Sequence, residues 1–140
     1  MDAKKITLAY RVPYADTDQM QVVYYANYLV YFERARNELL REIGFTYRRL
    51  EAMGFGLPVL EAVARYQAPA TYDDLLEISA WCGECRGVRL QVNCEVRRDG
   101  KLLVAGHTVH AFVQLKTMKP ARIAPELLAA LGLNGTPAGS

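Results

Sequence analysis

The sequence predicts an α+β domain in which one long helix lies on an antiparallel sheet. Three observations carry that reading. A single amphipathic segment, Asn27 to Ile43, places apolar residues at helical spacing. The second half of the chain alternates apolar and polar residues almost without a break. The links between those alternating runs are short, which suits hairpins and therefore antiparallel pairing.

Each element has a local cause. Ile6, Leu8, Tyr10 and Val12 alternate with Thr7, Ala9 and Arg11, the pattern of a strand that Pro13 ends. A loop carrying Asp16 and Asp18 follows. The long helix is placed from about Asn27, whose side-chain oxygen suits an N-cap, to Ile43. Tyr28, Phe32, Ala35, Leu39 and Ile43 share one face, while Arg34, Glu38, Arg41 and Glu42 lie largely away from it. Gly44 then Phe45 reads as a left-handed stop with its hydrophobic contact. At ~1.5 Å per residue the helix is about 25 Å long, enough to cross a sheet.

Tyr47 to Met53 suits a short helix before Gly54 and Gly56. From Pro58 to Gln67, Leu60, Ala62, Ala64 and Tyr66 alternate, although the local propensity of Leu60 to Arg65 is helical. Context assigns it as a strand. Turns follow at Ala68-Pro69-Ala70 and Tyr72-Asp73-Asp74. Leu76, Ile78 and Ala80 begin the β half, and Val88, Leu90, Val92, Cys94 and Val96 continue it. Asp99-Gly100 is a hairpin signal. Leu102 to Lys116 is apolar on both faces and so central, with Gly106 marking a bulge or bend. Pro125 to Leu131 closes with a short helix. Residues 1–133 thus form one domain of about five strands, and the small polar tail 134–140 is expected to fray.

Composition narrows the function. The chain has 140 residues, 51% hydrophobic and 23% charged, which is ordinary globular usage. A net charge of +2 creates no demand for nucleic acid, although clustered arginines can bind a phosphorylated small molecule. No apolar run approaches the ~18 residues of a membrane span. Met1 to Lys5 is polar, with no signal-peptide core behind it. Three cysteines, an odd number, argue against a disulfide framework. A cytoplasmic, reducing setting is expected. One helix covers one face of a sheet, so the other face or an edge is expected to meet a second copy.

The segment Tyr14 to Arg36 carries the chemistry. It sets Asp16 and Asp18 in a short loop before the helix opens. A carboxylate there can attack or deprotonate, and free N–H groups at a helix start can hold an oxygen anion. Read locally, the same Asp-x-Asp also fits a turn or a helix cap.

Asp16-Thr17-Asp18, Val22-Val23-Tyr24, Asn27-Tyr28 and Phe32-Glu33-Arg34-Ala35-Arg36 resemble the hotdog-fold acyl-CoA thioesterases. The likeness is to the 4-hydroxybenzoyl-CoA thioesterase type, including the small bacterial thioesterases associated with the Tol-Pal system. Tyr66-Gln67-Ala68-Pro69-Ala70 with Asp73-Asp74, and Lys119-Pro120-Ala121-Arg122-Ile123, extend it over roughly residues 5–130. The resemblance implies a long helix wrapped by a curved antiparallel sheet of about five strands. It also implies a homodimer or homotetramer with its active site between protomers. Asp18 falls at the position that carries the chemistry, and Tyr25 at the position whose backbone N–H polarises the thioester carbonyl. One departure is Gln21, where the family usually has Gly.

The implied reaction is hydrolysis of an acyl-CoA, or of an acyl-carrier-protein thioester, to the free acid. Coenzyme A is then part of the substrate, and no cofactor or metal is expected. Asp18 would act as nucleophile or general base. Asp16 is assigned to loop structure and Glu33 is the reserve carboxylate. Tyr24, Tyr25, Tyr28 and Tyr31 are read as packing, with Tyr25 contributing its N–H. Arg89 and Lys119 are the candidates for coenzyme A phosphates. The alternative function is a non-catalytic hotdog module that binds acyl thioesters. A hotdog dehydratase would need a histidine near the helix, and His107 and His110 lie late in the β half.

Trp81-Cys82-Gly83-Glu84-Cys85 looks like a thioredoxin motif, but that chemistry needs a helix start, and strands are expected on both sides. Cys82 and Cys85 are expected to flank a hairpin turn. A zinc site would need further ligands from Cys94, His107 or His110, and the two histidines face opposite sides of a strand.

Overall fold

The structure, a computed structural model, describes residues 4–133. Strand β1 is Lys5–Arg11, and a 3-10 turn at Tyr14–Asp16 follows it. Helix α1 is Asn27–Glu42 and helix α2 is Tyr47–Ala52. Strands β2 to β7 are Phe55–Gly56, Val59–Tyr66, Leu75–Arg86, Arg89–Arg98, Lys101–Ala111 and Val113–Gln114. Helix α3 is Pro125–Ala130. Five strands form one antiparallel sheet in the order β1-β4-β5-β6-β3, and β2 pairs with β7 beside it. The expected tail, residues 134–140, lies outside the described residues.

Helix α1 buries Tyr28, Tyr31, Phe32, Ala35, Leu39 and Leu40 against the sheet face that carries Leu76, Ile78, Ala80, Val92 and Val96. That burial, not helix propensity, holds the helix in place, because isolated helices of this length are marginal in water. The stop is as expected. Gly44 has φ 84°, its N–H donates to Arg41 O, and the Phe45 N–H donates back to Leu40 O. This is the Schellman arrangement. At the other end the expectation for Asn27 is corrected. Asn27 is the first helical residue, and its side-chain amide donates to Asp16 O at 2.9 Å. It ties the helix to the aspartate loop instead of capping it.

Three further expectations change. The single strand expected over Leu102 to Lys116 ends at Ala111, and Val113–Gln114 pairs with Phe55–Gly56 instead of continuing in the main sheet. Cys82 and Cys85 both lie inside β4, which runs on to Arg86, and the hairpin turn comes after them at Gly87 and Val88. Gly106 sits in regular register between Cys94 and Ala64, with no bulge. Its role is close approach: a Cβ there would lie 2.0 Å from Val63 O and 2.8 Å from Phe32 Cε2. The helical propensity of β3 is overridden by pairing with β6, from Val59 opposite His110 to Tyr66 opposite Val104. Asp99 (φ 51°) and Gly100 (φ 80°) make the expected two-residue hairpin.

The core contains a polar chain that periodicity did not reveal. Arg36 is buried on α1, with Nε donating to Tyr47 Oη at 2.7 Å and Nη1 to Thr108 Oγ1 at 3.3 Å. Thr108 Oγ1 lies 2.8 Å from His110 Nε2, and His110 Nδ1 lies 2.9 Å from Leu57 O. Burial pushes the His110 pKa down to about 4; the Leu57 carbonyl opposes this and the Arg36 charge adds to it. The folded chain therefore keeps the imidazole neutral where the unfolded chain would protonate it. This contribution is complete above about pH 6.5 and is lost as pH falls toward 4, on the order of 3 kcal/mol in all. Urea unfolding across that window should lose stability more steeply in the wild type than in His110→Gln. Equal slopes would exclude His110 as the source.

Candidate active site

The loop before α1 is organised by Asp16. Its Oδ2 accepts the phenols of Tyr10 and Tyr31, each at 2.7 Å, and its carbonyl accepts the Tyr24 N–H. Burial first, and the Asp16 carboxylate second, raise both phenol pKa values, so Tyr10 and Tyr31 stay protonated as donors. Asp16 is thereby committed to structure, as its assignment to the loop expected.

Asp18 is held differently. Its N–H donates to Val22 O, the Gln21 N–H donates back to Asp18 O, and its Oδ1 accepts the Met20 N–H at 2.8 Å. No other hydrogen bond reaches this carboxylate among the described residues, so Oδ2 is free. The side chain is half-buried and lines an open groove of about 490 Å³ with Tyr14, Met20, Gln21, Thr71 and Tyr72. Gln21 closes the turn at φ 67°, the left-handed region. A side chain costs roughly 1–2 kcal/mol there, partly offset in a glycine by lost unfolded-state entropy. Gln21→Gly should therefore raise unfolding stability by up to about 1 kcal/mol in urea titration. A loss of stability would show that the Gln21 side chain makes a compensating contact.

At the helix start the N–H groups of Asn27, Tyr28 and Leu29 turn back to Tyr24 O, Tyr25 O and Ala26 O. The Tyr25 N–H donates to no group among the described residues. Beside it is a hollow of about 300 Å³ lined by Val23, Tyr25, Tyr28, Tyr66, Ala68 and Pro69. Tyr66 is a residue the site expectation missed. Its phenol donates to Tyr25 O at 3.1 Å and so holds the helix start against β3. Its place in the Tyr66-Gln67-Ala68-Pro69-Ala70 motif was the available signal.

The structure brings some candidates together and separates others. Asp18 and Tyr25 line adjoining hollows, divided by the short ladder in which Val22 pairs with Thr71 and the Val23 N–H donates to Ala70 O at 2.8 Å. The Tyr24 ring packs against that of Tyr25, with centroids 4.7 Å apart. Glu33 is exposed on α1. Arg89 stands at the far end of the sheet, beside Arg86 and across from Ala111. The Lys119 segment runs along Gln114 at the same end. Strand β4 separates that end from Leu75 and the aspartate loop by about 35 Å. Within one protomer neither cation reaches Asp18.

His107 and His110 lie on opposite sides of β6, His107 3.0 Å from Glu61 and His110 in the core. Among the described residues no group of three or more His, Cys, Asp or Glu side chains is arranged to hold a metal ion. No described helix is long and apolar enough to cross a membrane.

Residues 12–131 match the family model of the thioesterase-like superfamily. The chain belongs to the thioesterase-like superfamily. It is 35% identical over 120 residues to the acyl-CoA thioester hydrolase YbgC of Escherichia coli, covering 85% of this chain and 90% of that one. A hypothetical protein of Thermus thermophilus has a solved structure that superposes with TM-score 0.83 at 34% identity, covering 92% of this chain and 96% of that one. A 4-hydroxybenzoyl-CoA thioesterase, solved with 4-hydroxybenzoyl-CoA, shares the fold at TM-score 0.85 and 20% identity, covering 92% of this chain and 99% of that one. The fold of this superfamily member is the hotdog, a five-stranded antiparallel sheet packed on one long helix.

Proposed function

We propose that this chain hydrolyses acyl-CoA thioesters to a free carboxylic acid and coenzyme A. The observation that carries the reading is the Tyr25 N–H, left without an acceptor at the start of α1 beside an apolar hollow, with the free oxygen of Asp18 in the adjoining groove. The acyl group occupies the hollow and its carbonyl oxygen accepts the Tyr25 N–H. Negative charge developing on that oxygen is stabilised by the amide, an effect of about 3 kcal/mol for one oxyanion donor. Asp18 either attacks the carbonyl, expelling the coenzyme A thiolate and leaving a mixed anhydride for water to open, or takes a proton from the attacking water. The family membership and the relation to YbgC support this reading.

The working unit is a homodimer or higher homo-oligomer. Strand β3 is an open sheet edge with Val59 and Leu60 exposed. Its Tyr66 end meets the Tyr25 hollow, and its Val59 end lies beside His110, next to Ala111 and Arg89. Antiparallel pairing of two β3 edges therefore carries the Arg89 and Lys119 end of one protomer toward the Asp18 end of the other. There the two cations can meet the phosphates of coenzyme A. The chain works in the cytoplasm, on acyl-CoA or on the equivalent acyl-carrier-protein thioester.

A panel of aromatic, short-chain and medium-chain acyl-CoA substrates, with released thiol followed by a chromogenic disulfide, tests the proposal. Thiol release on at least one member is expected. Tight binding without thiol release on any member would make the chain a non-catalytic acyl-thioester module.

A further inference from the structure

The Cys82-Gly83-Glu84-Cys85 segment has no role in the chemistry above. On a regular strand, residues three apart face opposite sides. Here the register of β4 against β5 shifts between Cys82 and Glu84: Cys82 pairs with Val92, Glu84 with Gln91 and Cys85 with Leu90. Gly83 is the extra residue of a bulge. Val92 and Leu90 both point into the core, so Cys82 and Cys85 both face that side. Cys82 is buried, and Cys85 is half-buried and packs on the core from nearer the surface.

Residue 83 leaves little room for a side chain. A Cβ on residue 83 would stand 2.2 Å from Asn93 Nδ2, and Asn93 Oδ1 is held by Gln91 Nε2 at 2.9 Å. Successive same-face positions of a strand lie about 6.6 Å apart, inside the ~4.4–6.8 Å range of Cα separations that a disulfide spans. Cys82 Sγ lies 3.8 Å from Glu84 O, in the segment that leads to Cys85. The neighbouring Cys82 thiol holds the Cys85 thiol below its ordinary range, against burial, and the Cys85 sulfur together with burial pushes Cys82 up. The outer sulfur is thus the attacking one and the inner sulfur the resolving one.

We propose that Cys82 and Cys85 form a dithiol site that low-molecular-weight disulfides oxidise reversibly to an intrachain disulfide. The Cys85 thiolate attacks one sulfur of the disulfide RSSR, forming Cys85–S–S–R and releasing RS⁻. Cys82 gives its proton to solvent and attacks the Cys85 sulfur, expelling the second RS⁻. Two electrons pass from the protein sulfurs to RSSR, which leaves as two thiols, and excess thiol reverses both steps. Transient, redox-sensing disulfides of this kind are the sort found in reducing compartments.

The native full-length protein incubated with glutathione disulfide, then alkylated and mapped without reduction, tests the site. Of the three cysteines, Cys82 and Cys85 should be lost to alkylation and linked to each other, with a mass loss of two hydrogens. Cys94 should stay alkylatable after unfolding, and dithiothreitol should restore both thiols. Cys82→Ser should leave Cys85 as a persistent glutathione adduct. The proposal is overturned if the wild type keeps all its thiols, pairs through Cys94, links two chains, or accumulates the Cys85 adduct. Because the wild type is itself mapped, a variant that fails to fold hides none of these outcomes.

Discussion

Asp18→Asn is expected to lower kcat by roughly 10²–10⁴ while leaving KM nearly unchanged. Asparagine retains an oxygen that can accept the Met20 N–H, so the turn from Asp18 to Gln21 survives and the variant folds. What disappears is the carboxylate oxygen that, in the proposed reaction, attacks the carbonyl or takes the proton of water. An interaction made only in the transition state appears in kcat; one made equally with bound substrate appears in KM. Wild-type turnover in a folded Asp18→Asn would remove Asp18 from the reaction and move attention to Glu33. A large rise in KM with kcat intact would make Asp18 a binding residue.

The largest expected effect on stability comes from Gly106→Ala. The added Cβ would lie 2.0 Å from the backbone oxygen of Val63 and 2.8 Å from Phe32 Cε2. The oxygen belongs to the neighbouring strand and Phe32 is fully buried, so neither side can yield cheaply. Overpacking of this kind costs roughly 1–3 kcal/mol and occasionally more, with a backbone oxygen in the way putting this site at the upper end, and here the cost is loss of pairing between β3 and β6. The denaturant midpoint should fall with an unchanged slope. Gly100→Ala is the control. Gly100 has φ 80° and open space around it, so only backbone strain of roughly 1 kcal/mol applies. Equal losses in the two variants would show that β3 shifts to accommodate the methyl group.

How far the sequence could be read depended on how local each cause was. Asp99-Gly100, the Gly44-Phe45 stop and the alternation of β5 are local patterns, and the structure follows them. The sequence reading placed Gly106 correctly as special and misjudged why, because its constraint comes from Val63 and Phe32, both distant in the chain. In the sequence Arg36 reads only as the last residue of the Phe32-Glu33-Arg34-Ala35-Arg36 motif, because its partners Tyr47 and Thr108 lie farther along the chain. Asn27 has N-cap chemistry, but Asp16 O offered its side chain a better partner. Cys82 and Cys85 were expected to flank a hairpin turn, because the bulge at Gly83 is a matter of register against another strand.

The sequence by itself determined the order of the long helix and the five main strands, the antiparallel class, the family motifs and the two carboxylates of the loop. All of these rest on residues close together in the chain. The resemblance assigned Asp16 to the loop and Asp18 to the chemistry, but only the tertiary structure gave the physical difference between the two carboxylates. It did so by bringing Tyr10 and Tyr31 onto one carboxylate and leaving an oxygen of the other free. Which of two neighbouring aspartates is consumed by structure depends on donors that arrive from β1 and α1, and no local pattern encodes that meeting.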